Sequence, residues 1–183
     1  MPVWMRVVVV VVCLGINAYS AGQILPKRDA YCEWYSLRIL YQTNSYYVAT
    51  KDYEVLYPKL RHEKHFLFEY GQCLSKIGQY VESICIFEEY LHYGSDPMVY
   101  NCIGNNFKEM GEYKKAENMY IRASQIVPNR HYPLYLLMKL YQETEQIEKA
   151  KTMAHSLLNK PVKVQSTAIH EMQLEAKQLI ISY

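Results

Sequence analysis

Two stretches of the chain, GQYVESICIFEEYL from Gly78 to Leu91 and GEYKKAENMYIRAS from Gly111 to Ser124, are near copies, with Gly78 aligned on Gly111. Self-similarity at so short a period constrains the fold more than composition does. A unit of that size cannot bury its own apolar face and has to stack on a neighbour of the same kind. The likeness extends both ways along the chain. Leu67-x-x-Tyr70-Gly71-x-x-Leu74, then Gly78-x-Tyr80 and Ser83-x-x-x-Phe87, forms one unit. Tyr100-x-x-Ile103-Gly104-x-x-Phe107, then Gly111-x-Tyr113, Ala116-x-x-x-Tyr120, Ala123 and Pro128, forms the next. Leu134-x-x-Leu137-Met138-x-x-Tyr141 with Ala150-x-x-x-Ala154 and Leu157 forms a third. An eroded unit precedes them: Trp34-x-x-Leu37-Arg38-x-x-Tyr41 with Ala49-x-x-x-Tyr53, one residue shorter at the turn.

Each spacing has a physical reason. Gly71 and Gly104 lack a Cβ and let one helix of a pair approach the other closely, with Ser83, Ala116 and Ala150 as the small residues expected across the crossing. Gly78 and Gly111 end the first helix, where a left-handed residue satisfies its last carbonyls. Tyr80 and Tyr113 open the second helix, and Pro128 stops one unit before the next begins. The pattern resembles the tetratricopeptide repeat, a helix–turn–helix unit with W-x₂-L-G-x₂-Y, A-x₃-F and Pro at set offsets. Departures are Arg38 and Met138 where Gly is usual, and Glu145 where the turn Gly is usual. The resemblance implies an all-α solenoid of repeats over residues 31–160, divided at about 31–62, 64–96, 97–129 and 130–160. The last unit needs a cover. Residues 161–183 supply one: Lys160-Pro161-Val162-Lys163-Val164 reads as extended, and Ser166 or Thr167 then caps a helix with Ile169, Met172, Ala176, Leu179 and Ile180 on one face.

Residues 1–24 are different in kind. Arg6 precedes an apolar run from Val7 to about Ile16 containing six consecutive valines, and small residues follow. That pattern fits either a secretory signal peptide cleaved near Ser20 or a hydrophobic membrane helix reaching Leu25. Residues 25–30 read as a linker. Beyond the generic repeat, the phrases FLFEYGQCLSKIGQY, VPNRHYPLYLLMKLYQET and KPVKVQSTAIHEM resemble the C-terminal tail of Bacteroidetes proteins in the O-antigen ligase and polymerase-like family. Members are polytopic membrane proteins, and this tail follows their last membrane helix. The resemblance implies a membrane link in a bacterial cell envelope and a surface-polysaccharide context. The alternative is a free-standing exported repeat protein, released to the periplasm if residues 1–24 are cleaved, that binds a periplasmic or cell-surface partner.

No catalytic residue carries over, because the ligases' chemistry resides in a multi-helix membrane body that these residues do not encode. The chain's own residues point the same way. His62-Glu63-Lys64-His65 nearly spells a zinc motif, but its histidines stand three apart rather than one turn apart at i and i+4. No Gly-rich phosphate loop, nucleophile elbow or carboxylate pair in a plausible site is present, and Cys13, Cys32, Cys73, Cys85 and Cys102 form no CxxC. No cofactor, metal or small-molecule substrate is expected. A net charge of +2 without a Lys/Arg run gives no basis for nucleic-acid binding. What the repeat's geometry implies is a groove lined by the first helix of each unit. Its inward positions are Trp34 or Arg38, then Phe68, Gln72, Asn101, Asn105, Tyr135 and Lys139, suited to an extended peptide or partner helix of another protein.

Overall fold

The computed structural model describes residues 2–162 and 165–182, and as far as Leu25 only some of the side chains. Among the described residues every regular element is a helix. In chain order these are α1 (Val3–Gln42), α2 (Tyr46–Leu60), α3 (Lys64–Lys76), α4 (Tyr80–Leu91), α5 (Pro97–Glu109), α6 (Tyr113–Ile126), α7 (Tyr132–Glu143), α8 (Ile147–Leu158) and α9 (Thr167–Ser182).

One turn is used four times. At Asn44, Gly78, Gly111 and Glu145 the backbone enters the left-handed region, with φ of 59°, 83°, 77° and 58°. The next residue's N–H then reaches back along the chain to a helical carbonyl. The pairs are Ser45 to Leu40 (2.9 Å), Gln79 to Leu74 (3.0 Å), Glu112 to Phe107 (2.8 Å) and Gln146 to Tyr141 (2.8 Å). That bond closes the first helix of each pair and fixes where the second starts. Glycine adopts this conformation freely. Asn44 accepts it at modest cost, and Glu145 at a larger one.

The chain divides into two compact units, residues 1–73 and 74–183, with the division inside α3. In the first unit the core gathers Leu37, Ala49, Tyr53, Leu56, Phe66 and Leu67. Tyr53 and Phe66 lie with ring centroids 5.3 Å apart, and Trp34 meets Phe66 edge-on at 5.8 Å. A buried carboxylate organises the polar side of this cluster. Glu69 accepts from Trp34 Nε1 at 2.7 Å and from the Tyr53 hydroxyl at 2.9 Å, and pairs with Arg38 Nε at 3.0 Å. Trp34 and Arg38, both read as inward positions, thus share Glu69 as a partner.

In the second unit Ala116, Tyr120, Leu137, Met138, Leu140, Ala150, Ala154 and Leu157 form one apolar cluster, and Ala176 and Leu179 of α9 close it. The cap on α9 is Ser166, whose Oγ accepts from Ile169 N at 3.3 Å. Asp96 caps α5 by accepting from Met98 N at 2.8 Å, and Pro97 sits at the first turn. The expected partner of Gly104 needs correction. A Cβ built there would lie 2.7 Å from Cδ1 of Tyr120 and closer still to Cε1, so the glycine makes room for an aromatic ring, not for Ala116.

One expectation at the N-terminus also changes. Residues 25–30 are not a linker: α1 runs through Pro26 without a break, and Ala30 is fully buried. A single proline removes one backbone bond, and the Lys, Arg and Ala that follow are strong helix formers. The hydrophobic segment 1–24 rests largely on side chains outside the described residues. Among the described residues, no helix is long and apolar enough to cross a membrane. Lys163 and Val164 of the expected extended stretch are likewise outside them.

Candidate functional site: a polar cleft across α5 and α7

The second unit holds an open cleft of about 510 Å³, formed by the end of α3, the start of α4, α5, α6 and α7. Asn105, Tyr135 and Lys139 line it, and these are three of the residues the repeat's geometry places inward. Around them stand Lys76, Tyr80, Asn106, Lys108 and Tyr120.

The amides are held in defined orientations. Asn105 Oδ1 accepts from the Tyr120 hydroxyl at 2.8 Å. Asn106, fully buried, accepts from Ser75 Oγ at 2.6 Å and donates through Nδ2 to Ser83 Oγ at 2.8 Å, tying α3, α4 and α5 together. Burial raises the Tyr120 phenol well above its usual range, and the nearby charge of Glu109 and Glu143 adds to it, so the hydroxyl stays a donor. Lys108 Nζ lies 3.1 Å from Glu143 on α7 and 3.5 Å from Glu109. Burial alone would lower the Lys108 pKa, but the hydrogen bonds and charge of the two carboxylates outweigh it and hold the ammonium above its ordinary value.

Tyr135 and Lys139, one turn apart on α7, share an acceptor. The Tyr135 hydroxyl is 3.1 Å from both oxygens of Glu175, and Lys139 Nζ is 3.2 Å from one of them. Burial first, then the bond and charge of Glu175, push the Tyr135 phenol up to about 12. Glu175 comes from α9, a helix read from the sequence only as a cover.

The remaining expected positions fall elsewhere. Asn101 is only 2% exposed, and its Oδ1 has no hydrogen-bond partner, so it is an interior residue and not a second amide beside Asn105. A step from i to i+4 turns about 40° around a helix, enough to carry a side chain from the cleft wall to the interior. Phe68 and Gln72 belong to the first unit. Phe68 is half-buried, and Gln72 Oε1 accepts from the Tyr41 hydroxyl. Glu117 accepts from the Tyr141 hydroxyl at 2.5 Å and joins α6 to α7. Among the described residues no group of three or more His, Cys, Asp or Glu is placed to hold a metal ion.

Lysines, phenols and oriented amides along an open trough suit an extended main chain. The rings offer contact area at low entropy cost. Neither a histidine nor a cysteine lines this cleft among the described residues.

A family model described as YpiA-like, C-terminal tetratricopeptide repeats matches residues 31–96. A comparison with curated protein sequences finds no match. Solved structures match over most of the chain. MamA, residues 41 to the end, from Desulfovibrio magneticus RS-1 is 16% identical over 84% of this chain and 92% of that one, with a TM-score of 0.65. PcrH of Pseudomonas aeruginosa, in a crystal structure with the chaperone binding region of PopB, is 14% identical over 63% of this chain and 93% of that one, with a TM-score of 0.56. The Sgt2 TPR domain from Aspergillus fumigatus is 16% identical over 66% of this chain and 80% of that one, with a TM-score of 0.54. At these identities the likeness establishes the fold, which is that of tetratricopeptide repeats.

Proposed function

We propose that this chain is a non-catalytic interaction module whose second unit holds an extended peptide segment of a partner protein. The observation that carries the reading is the cleft itself, in which Asn105, Tyr135 and Lys139 from α5 and α7 line one open trough of about 510 Å³. The fold is one that commonly serves protein–protein contacts, and its similarity to PcrH, solved with the chaperone binding region of PopB, supports the same use here. The sequence phrases that resemble the tail of O-antigen ligase and polymerase-like proteins support a place in bacterial surface-polysaccharide assembly. The valine run supports attachment to an envelope membrane through residues 1–24. No glycan transfer is assigned to this chain, since no residue here matches the ligases' catalytic groups.

The test is selection of a random peptide library on the full chain. Enriched peptides are expected to lose binding to a Tyr135→Ala, Lys139→Ala protein and to retain it with Lys114→Ala, which alters an exposed residue outside the cleft. Peptides that bind all three proteins equally refute the cleft. Fractionation of expressing cells tests attachment: a chain that leaves the membrane in carbonate at high pH is not anchored.

A further inference from the structure

Glu175 does not line the cleft, yet its carboxylate is bonded to two of the residues that do. We propose that Glu175 is an intramolecular stand-in for a carboxylate of the bound peptide, a competitor carried on α9 that the ligand displaces from Lys139 and Tyr135. The proposal rests on the cleft being the peptide site, and it names the ligand's chemistry. The two groups Glu175 engages are an ammonium and a phenol hydroxyl, both donors, so what replaces it has to be an acceptor, and an anion satisfies Lys139 best. Lys76 supplies a further ammonium on the cleft wall.

A plain latch that holds α9 in place is the competing account, and the packing argues against it. Ala176 is fully buried and Leu179 is 2% exposed within the apolar cluster, so α9 is docked by hydrophobic contact. The Lys139–Glu175 pair, by contrast, stands at the surface with side chains 49% and 41% exposed. A pair so solvated contributes little to stability. It breaks easily without undocking the helix, as a displaceable contact requires.

The experiment measures binding of labelled peptides to the full chain by fluorescence polarisation. The probes are hexaglutamate with an amidated C-terminus, hexaglutamine with an amidated C-terminus, and hexaglutamine with a free C-terminal carboxylate. Glu175→Gln is expected to bind hexaglutamate about fivefold more tightly than the native chain, the equivalent of about 1 kcal/mol. Lys139→Met is expected to weaken hexaglutamate binding in both backgrounds, and amidated hexaglutamine is expected to be indifferent to Glu175→Gln. A gain confined to the free-carboxylate glutamine peptide assigns the anion to a chain terminus instead of a side chain. Equal hexaglutamate affinity for native and Glu175→Gln proteins overturns the proposal, as does absence of binding to either. In both cases the library-selected peptides show separately whether the cleft binds peptide at all. Loss of hydrogen-exchange protection in α9 on Glu175→Gln makes the pair a latch and also overturns the proposal.

Discussion

Replacing Gly104 by alanine tests the close approach of α5 and α6 with a single methyl group. The added Cβ would lie 2.7 Å from Tyr120 Cδ1 and 3.1 Å from Cζ, well inside van der Waals contact. The ring has little room to retreat. Tyr120 is 1% exposed, sits in the apolar cluster with Leu137 and Met138, and has its hydroxyl fixed 2.8 Å from Asn105 Oδ1. Overpacking of this kind costs about 1–3 kcal/mol. Alanine recovers about 0.5–1 kcal/mol over glycine inside a helix. The net expectation is a loss of up to about 2.5 kcal/mol, read as a lower urea midpoint at unchanged slope. The sign should reverse once the ring is gone. In a Tyr120→Ala background the same Gly104→Ala change has nothing to strike and should stabilise by about 0.5–1 kcal/mol. Equal effects in the two backgrounds would refute the account of why a glycine stands at this position.

Three further outcomes follow from particular residues. Glu145→Gly should raise stability by about 1 kcal/mol, because Glu145 holds a φ of 58° that glycine adopts without strain; a thermal melt that does not rise contradicts the strained turn. Glu69→Ala should cost about 3 kcal/mol by stranding the buried Tyr53 hydroxyl and the Trp34 indole N–H, while Glu69→Gln, which keeps an acceptor, should cost clearly less; equal urea midpoints for the two variants would deny that hydrogen-bond role. Tyr31, Tyr90 and Tyr135 are each raised from 10.0 to about 12, first by burial and then by the bond and charge of Glu63, Asp96 and Glu175. Above pH about 10 the folded chain therefore holds more protons than the unfolded one. Stability should be full below that pH and fall as pH rises through about 12. Phenolate absorbance should then appear together with loss of helical signal, and phenols that all titrate near pH 10 in the still-folded chain would contradict the burial.

The repeats were legible because their signals are local and recur. A left-handed turn once in every unit and a small residue five positions after it recur along the chain, at Ala49, Ser83, Ala116 and Ala150. The turn even survives where its usual residue is missing, since Glu145 takes the glycine conformation once both flanking helices are packed. Contacts across helices were less legible. Gly104 reads as the mate of another small residue, whereas the structure fills the space with Tyr120, because a glycine can admit a large partner as readily as a close backbone. Asn101 and Asn105 look equivalent at i and i+4, yet only Asn105 reaches the cleft. Glu117 and Glu175 carry no local mark at all: both look like solvated helix positions, and only the fold brings tyrosines to them. Several of the 19 tyrosines bond a carboxylate or amide on another helix, which nothing local in the sequence marks. The helical path through residues 25–30 was hidden by Pro26 and the charges beside it, which imitate a linker.

The central claim is that peptide binding occurs in the cleft across α5 and α7. A photo-crosslinking amino acid placed at Leu136, which lines the cleft, and separately at the exposed Lys114 tests it directly. Irradiation of cells expressing the full chain should give a discrete adduct from position 136 and none from position 114. Mass spectrometry of that adduct should place the crosslink within a contiguous segment of another protein. An adduct from position 114 alone would put the binding surface elsewhere and contradict the account.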